Sequence, residues 1–599
     1  MDKKNTLIGG LLIAAAFASL YLGQKFSPSP APLPAGSAAV QAANPAASSA
    51  TAPATPAVTA GSAAFTAVAK DPAHATITTL ENDYLSVHFT DLGGAIRDIG
   101  LRKFPAVLQK PEPYVINAVH ADPMLAFVDF PGLDRHTAFE LVSHSATEVV
   151  YRAVLGAQLE VTRRYTLVAA PDDKHDPYQL RAETTLRNLT DKLLPVSRLA
   201  LSVGTISPVS ETVYGQKIST GYSTGSDQTF IHRTQLEGGS GFFGIGASET
   251  KASLNSGGPI AWASIDNQFF AAILTPDQPG VGLVTTRVKL LAAAPDEQHN
   301  AFGLAGAAQF DVKPLPAHGE STLGLNFYVG PKEYRRLSNS DVFKADQDKI
   351  MQFGFFKFFS QILLTLMTWV HSGIPNWGLA IICTTLLLKI VFVPFTVAAS
   401  RSAKRMQKIQ PEMQVVREKF KDNPQKMQAA TMELFKKHKV NPLGGCIPIL
   451  ITMPFFFGFY TMLQSAAELR FEPFLWAQDL SAADTVAHVV GLPINIMPLL
   501  MGATMIFQMR LTPQPSVDNA QAKMLKFMPW IFILFCYTFS CALALYSTIN
   551  GLFTIGQQLI INRMKDAGDI ASPTGIALED AAALAGKPMK NITPKKPKK

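Results

Sequence analysis

The stretch WGLAIICTTLLLKIVFVPFTVAASR, running from Trp377 to Arg401, decides the fold. Its part from Trp377 to Ala398 is apolar and long enough to cross a bilayer, apart from a single charge at Lys389. Lys389 lies twelve residues from either end of the stretch, about 18 Å at ~1.5 Å per residue, and so near mid-membrane. A lysine stem covers only part of that distance. An ammonium facing hydrocarbon is costly, so this one must face water or a partner inside a helical bundle. The apolar segments offer no Asp or Glu to neutralise it. Two readings follow: a lysine satisfied by carbonyls and hydroxyls such as those of Thr384 and Thr385, or an open, wet cavity that receives an acidic group from elsewhere. The second accounts better for a charge at that depth.

Charge fixes the orientation. From Arg401 to Lys439 the chain carries Lys404, Arg405, Lys408, Arg417, Lys419, Lys421, Lys426, Lys436 and Lys437 against Glu412, Glu418, Asp422 and Glu433, which by the positive-inside rule is cytoplasmic. Upstream, Phe353–Val370 resembles a span at first sight. Polar residues recur there, however, at Lys357, Gln361, Thr365, Thr368 and Ser372, opposite Phe355, Phe358, Phe359, Ile362 and Leu366. This is the pattern of a helix lying in the interface, and a crossing here would put the basic segment outside. An interfacial amphipathic helix is therefore assigned to 346–372, ahead of a helical core at 373–565.

Within that core the second span is 377–398, the hairpin 399–440, the third span 443–464 and the fourth 492–509. The loop between the third and fourth holds Glu468, Glu472, Asp479 and Asp484 with Arg470 as its strong base, which suits the outer side. Between Lys526 and Arg563 there is no charged residue. One helix of that length would reach about 54 Å, far beyond a hydrocarbon layer of ~30 Å. Two short spans fit instead, at 525–540 and 542–562, followed by a basic cytoplasmic tail at 566–599.

Toward the N-terminus, residues 1–26 are a short basic start and an apolar run, which reads as a retained anchor in preference to a cleaved signal. Residues 27–70 are an Ala/Pro-rich linker. Residues 71–345 read as soluble sequence with short alternating runs such as Leu85, Val87 and Phe89, or Glu160 to Val168, broken by Gly, Pro, Asn and Asp. That pattern predicts an antiparallel β-sandwich on the outer side. Its Asp91, His120 and His136 read as turn and surface residues, and no nucleophile motif, phosphate loop or cofactor motif is recognisable. The four cysteines all fall in apolar segments, so neither a disulfide framework nor a C-x-x-C metal site is indicated.

In the basic segment Met406, Ile409, Met413, Val416 and Phe420 recur at spacings of three and four. Asn423-Pro424 then offers a cap and a first-turn proline before Met427, Ala430 and Leu434. This predicts a two-helix hairpin with basic outer faces. A nucleic-acid site is disfavoured because no aromatic stacking platform accompanies the basic residues. Met453, Phe456 and their neighbours on the third span, with Phe535 on the fifth, form Phe- and Met-rich surfaces. Such surfaces suit both packing and promiscuous contact with apolar helices.

Asn441-Pro442-Leu443-Gly444-Gly445-Cys446-Ile447-Pro448 followed by Met453-Pro454 resembles the signature of the YidC/Oxa/Alb insertase family. Gln410-Pro411, Glu468-Leu469-Arg470, Phe527-Met528-Pro529 and Gln557-Gln558 are also similar to that family, and the likeness covers Phe353 to Arg563. The resemblance implies a polytopic α-helical membrane protein of six spans. Five of these form an insertase core around a hydrophilic groove, with an all-β periplasmic sandwich outside, both termini cytoplasmic and the inner membrane as location. It implies insertion and chaperoning of nascent membrane proteins, alone or with the Sec translocon, by a protein that is not an enzyme and uses no cofactor or metal. The groove residues would be Lys389, where bacterial members usually carry arginine, with Thr385 and Thr452. Met453, Phe456 and Phe535 would form an apolar slide, and Arg405, Lys408, Arg417, Lys436 and Lys437 would dock a ribosome or targeting receptor. The hairpin and the lack of an inverted repeat or acidic coupling residue argue against a secondary transporter. A pure assembly scaffold would tolerate loss of the charge at Lys389.

Overall fold

The computed structural model describes residues 74–563 apart from 120–121, 129, 131–132, 134–135, 169–174, 197, 211–216, 239–248, 291–300, 344–345, 439–446 and 512–529. The expected anchor, linker and tail, the Asn441–Cys446 part of the signature, the Phe527-Met528-Pro529 motif and His120 therefore lie outside the described residues.

Residues 77–331 form three antiparallel sheets. A meander of Ile77–Glu81, Leu85–Thr90, Ala95–Pro105 and Pro113–Ile116 makes the first. The second is a nine-stranded sheet in which Glu320–Pro331 pairs between Phe270–Pro276 and Gln179–Asn188. The third joins Ser253–Ile260, Gly280–Lys289, Phe302–Phe310 and Leu199–Ile206. Strand Leu159–Leu167 alternates buried and less buried residues along its length, as a strand with one face on a core must. Leu85, Val87 and Phe89 point into the same core. A buried Arg163 ties the meander to the large sheet. It donates to the carbonyl oxygens of Gly93, at 2.9 Å, and Leu125, with its guanidinium 5.0 Å from the Phe127 ring centroid. Asp91 proves to be a buried turn acceptor for the Thr76 N–H at 3.0 Å, not a surface residue.

The helical part begins with 3₁₀ turns at Gln347–Met351 and Gly354–Phe356, then α1, Lys357–Gly373. Its buried face is Ser360, Leu363, Leu364 and Met367, packed on a later helix where Ser360 Oγ donates to the Gly458 carbonyl at 3.1 Å. Phe355, Phe358, Ile362 and Trp369 are exposed instead. This corrects the two-faced reading: a third, protein-facing stripe exists, while Thr365 and Thr368 satisfy their hydroxyls on the carbonyls four residues back.

α2 runs unbroken from Trp377 to Lys408 and includes Pro394. Of the described helices, only its Trp377–Ala398 part is long and apolar enough to cross a membrane by itself. α3, Gln410–Lys419, and α4, Pro424–Lys437, fold back on one another. Met406, expected in the first hairpin helix, thus belongs to the end of α2. A new helix starts there with Pro411 in its first turn, where a backbone N–H has no partner within the helix anyway. Asn423 Oδ1 caps α4 by accepting from the Lys426 N–H at 3.1 Å, with Pro424 in the first turn.

α5, Ile447–Ser465, is followed by a loop and a β-hairpin of Thr485–Val489 and Leu492–Asn495. The hairpin turns at Val490 and Gly491, both at positive φ, as a tight two-residue turn requires. α6, Ile496–Leu511, comes next, so the helix in the region expected as the fourth span starts four residues later than Leu492, because a strand occupies the intervening positions. A short helical segment at 530–536 and α7, Cys541–Arg563, complete the bundle.

The sheets and the helices share a joint. Arg470 donates to the carbonyls of Pro105 at 2.6 Å and Ala106 at 3.0 Å and lies 4.1 Å from the Phe471 ring centroid. Gln268 Nε2 donates to the Gln464 carbonyl at 2.8 Å. Glu468 is half-buried in this joint, where desolvation first, and the charge of Glu333 second, push its carboxyl up to about 8.

Candidate functional site

Lys389 lines a small cleft of about 30 Å³ between α2, α5 and α7. The walls are Thr385, Leu388, Phe392 and Thr396 from α2, Phe455 from α5, and Tyr546 and Asn550 from α7. The ammonium donates to Thr554 Oγ1 on α7 at 2.9 Å and sits 6.0 Å from the Phe553 ring centroid. No acidic side chain among the described residues pairs with it. Thr385 is buried, but its hydroxyl donates to the Ile381 carbonyl at 2.7 Å, so it lines the cleft without holding the lysine. Thr452 lies within α5, and its side chain is outside the described residues.

Two further bonds join the same helices toward their C-terminal ends. Gln557 Nε2 donates to Thr396 Oγ1 at 2.6 Å, and Lys404 Nζ donates to the Ile561 carbonyl at 2.6 Å. The α2–α7 seam is thus polar over this stretch. Lys404 also supplies a cation to the end of α7, where free carbonyls favour positive charge. Neither Thr396 nor Thr554 stood out in the sequence, and Gln557 did so only within the Gln557-Gln558 likeness, with no role attached. A usable signal was present: Tyr546, Asn550, Thr554 and Gln557 recur at spacings of four, four and three, which puts them on one helix face.

The apolar residues expected to guide a helix divide between two places. Phe456 packs inside, with ring centroids 6.3 Å from Tyr546 and 6.4 Å from Phe532. Met453 and Phe535 are exposed, and Phe535 meets Phe539 at 5.2 Å. Phe455, not Phe456, faces the cation's cleft, wedged against Phe392 at 4.8 Å and Phe359 at 4.9 Å. Arg405 and Lys408 are exposed at the end of α2, Lys436 and Lys437 at the end of α4, while Arg417 in α3 is half-buried. His438 closes the base of the helix pair with a contact of 3.0 Å from Nε2 to Glu412 Oε2.

One arrangement in the sheets has the order of a hydrolase relay: Ser86 Oγ is 3.2 Å from His88 Nε2, and His88 Nδ1 is 2.5 Å from Asp98 Oδ1. Its chemistry is otherwise. Ser86 gives its one proton to Glu81 Oε1 at 2.7 Å, so the imidazole is not placed to take it. Nor does any group of His, Cys, Asp and Glu among the described residues have the arrangement of a metal site.

A helical bundle that holds a lysine in an internal cleft, bolted to an all-β domain at one end, defines a helical membrane protein with a large β-rich extramembrane domain. The family model described as "60Kd inner membrane protein" matches residues 369–568, and that described as "YidC periplasmic domain" matches residues 77–366. Proteins named "Membrane protein insertase YidC" are similar to it. That of Syntrophobacter fumaroxidans is 31% identical over 422 residues, covering 68% of this chain and 71% of the relative. That of Wolinella succinogenes is 39% identical over 259 residues, covering 43% and 46%. That of Anaeromyxobacter sp. strain Fw109-5 is 35% identical over 331 residues, covering 54% and 55%. The chain belongs to the YidC membrane protein insertase family, whose members are inner-membrane proteins with a periplasmic domain. Its matches to several of these relatives span about half of their length.

Proposed function

We propose that this protein inserts other membrane proteins into the inner membrane and helps them fold, and that it does so without catalysing a covalent reaction. The observation that carries this reading is Lys389: a cation inside a membrane bundle, beside a cleft, held by a hydroxyl and, among the described residues, by no acid. A fixed ion pair would fill the site permanently. A lysine on a hydroxyl is available to an acidic group on a passing chain. In this cycle a short external segment enters the cleft and its carboxylate pairs transiently with Lys389. The adjoining apolar helix then moves past the exposed Met453 and Phe535 into lipid. Burial of about 20 apolar residues in hydrocarbon drives that last step.

On the same reading the chain crosses the membrane six times with both termini in the cytoplasm. The spans are the N-terminal anchor, α2, α5, α6, the segment at 525–540 and α7. The 399–440 hairpin and the 566–599 tail face the cytoplasm, where a ribosome or targeting receptor docks, and the Sec translocon is a lateral partner. Impermeant thiol labelling of single-cysteine variants tests this topology. Positions in 77–331 and near Glu472 should label from outside, and Lys436→Cys should not. Labelling of Lys436→Cys from outside would overturn the topology and the direction of insertion with it.

The activity itself is testable with the purified full chain in proteoliposomes, given a single-span substrate whose short external segment becomes protease-protected when inserted. Protection should rise several-fold over empty vesicles. Equal protection with and without the protein would reject the insertase reading.

A further inference from the structure

We propose that Thr554 is a positioning residue that parks the Lys389 ammonium on α7 while the cleft is empty, and so sets how strongly the site favours acidic substrates. The inference rests on reading the cleft as the capture site. Its geometry is specific. Thr554 Oγ1 donates its one proton to the Asn550 carbonyl at 2.7 Å. Only its lone pairs therefore remain for a partner, and these accept from Lys389 at 2.9 Å. The hydroxyl is held as an acceptor by the helix that carries it.

The neighbouring contacts keep the parking place in register. Gln557 holds Thr396 one turn further along α7, and Lys404 holds the Ile561 carbonyl beyond that, so α2 and α7 stay together on that side when Lys389 lets go. An entering carboxylate therefore exchanges this one hydrogen bond while the other two contacts hold. The exchange sorts substrates by chemistry. A neutral side chain offers the ammonium an oxygen no better than the one it leaves. A carboxylate adds the attraction of an opposite unit charge, which is poorly screened inside the bundle. Thr554 is the reference against which every entering group is compared.

Thr554→Val keeps the shape of the side chain and removes the acceptor; Thr554→Ser keeps the acceptor. Each variant, in the full chain in proteoliposomes, is given matched single-span substrates whose external segment has zero or one acidic residue and a photo-crosslinker beside it. With Thr554→Val, crosslinking of the one-acid substrate should rise about two- to tenfold, the worth of one net hydrogen bond no longer exchanged. Crosslinking of the acid-free substrate should not change, and Thr554→Ser should match the parent. A loss shared equally by both substrates would show a merely structural threonine and overturn the proposal. So would no change for either. Lys389→Glu, run in the same assay, separates the two levels of the argument. If it fails to distinguish the substrates, the capture reading itself is wrong. If it distinguishes them while Thr554→Val does not, only the parking role falls.

Discussion

Lys389→Glu should reduce insertion of a substrate carrying two acidic residues in its external segment at least about tenfold more than that of an acid-free one, with a single-acid substrate between. At ~6 Å and an effective dielectric of ~20, a pair of unit charges interacts by about 3 kcal/mol, so the substitution turns that attraction into a comparable repulsion. The bundle should survive the change, because the Gln557–Thr396 and Lys404–Ile561 contacts still join α2 to α7. Lys389→Arg keeps the charge and should retain most activity. The guanidinium has a planar fork suited to gripping a carboxylate with two bonds, so release of substrate, more than capture, is the step it would slow. Neutral replacements should fall between, since a hydrated cleft still lowers the barrier for a polar segment without a fixed charge. The measurement is protease protection in proteoliposomes across the substrate series. Equal losses for all three substrates would mean that the charge maintains the shape of the cleft and that electrostatic capture is not the mechanism.

What the sequence discloses about this molecule depends on how local the cause is. Alternation in Leu159–Leu167 marks a strand because the period-two pattern and the buried face are the same fact. The insertion of Glu320–Pro331 between Phe270–Pro276 and Gln179–Asn188 is a pairing of distant segments, and nothing in any of the three specifies it alone. The depth of Lys389 is legible by counting residues, yet its partner is 165 positions away on α7. Arg470 reads as a lone base in an acidic loop, but it binds carbonyls about 365 residues earlier in the chain. α1 is the hardest case. Phe358 is exposed and Leu363 is buried, although both are apolar, so hydropathy alone cannot tell a face that meets lipid from one that meets protein.

Removing residues 411–437, with Gln410 joined to His438 through a short Gly-Ser linker, should leave a folded membrane protein that inserts ribosome-delivered substrates at least about tenfold less well. The boundaries follow from the contacts. Lys404 must stay because it holds the end of α7, and the buried Ile409 must stay because it closes α2. α4 buries no residue, and the faces that α3 and α4 present to each other at Met413, Val416, Met427 and Leu434 are only half-buried. The pair therefore contributes little to the stability of the bundle, and such a weakly packed element is free to move with a partner. What it does present is charge: Lys436 and Lys437 at the end of α4 stand exposed, as do Arg405 and Lys408 where α2 ends. A polyanionic surface such as ribosomal RNA, or an acidic receptor, would be drawn there at a rate that falls with salt. Reversing those four charges in the intact protein should accordingly weaken ribosome binding most at low ionic strength, while a peptide-sized substrate supplied without ribosomes should insert nearly as before. Co-sedimentation with ribosomes over a salt series, run beside the insertion assay, measures both. Undiminished insertion of every substrate after the deletion would show that delivery does not pass through the hairpin, and the docking role would then have to be sought in the basic tail.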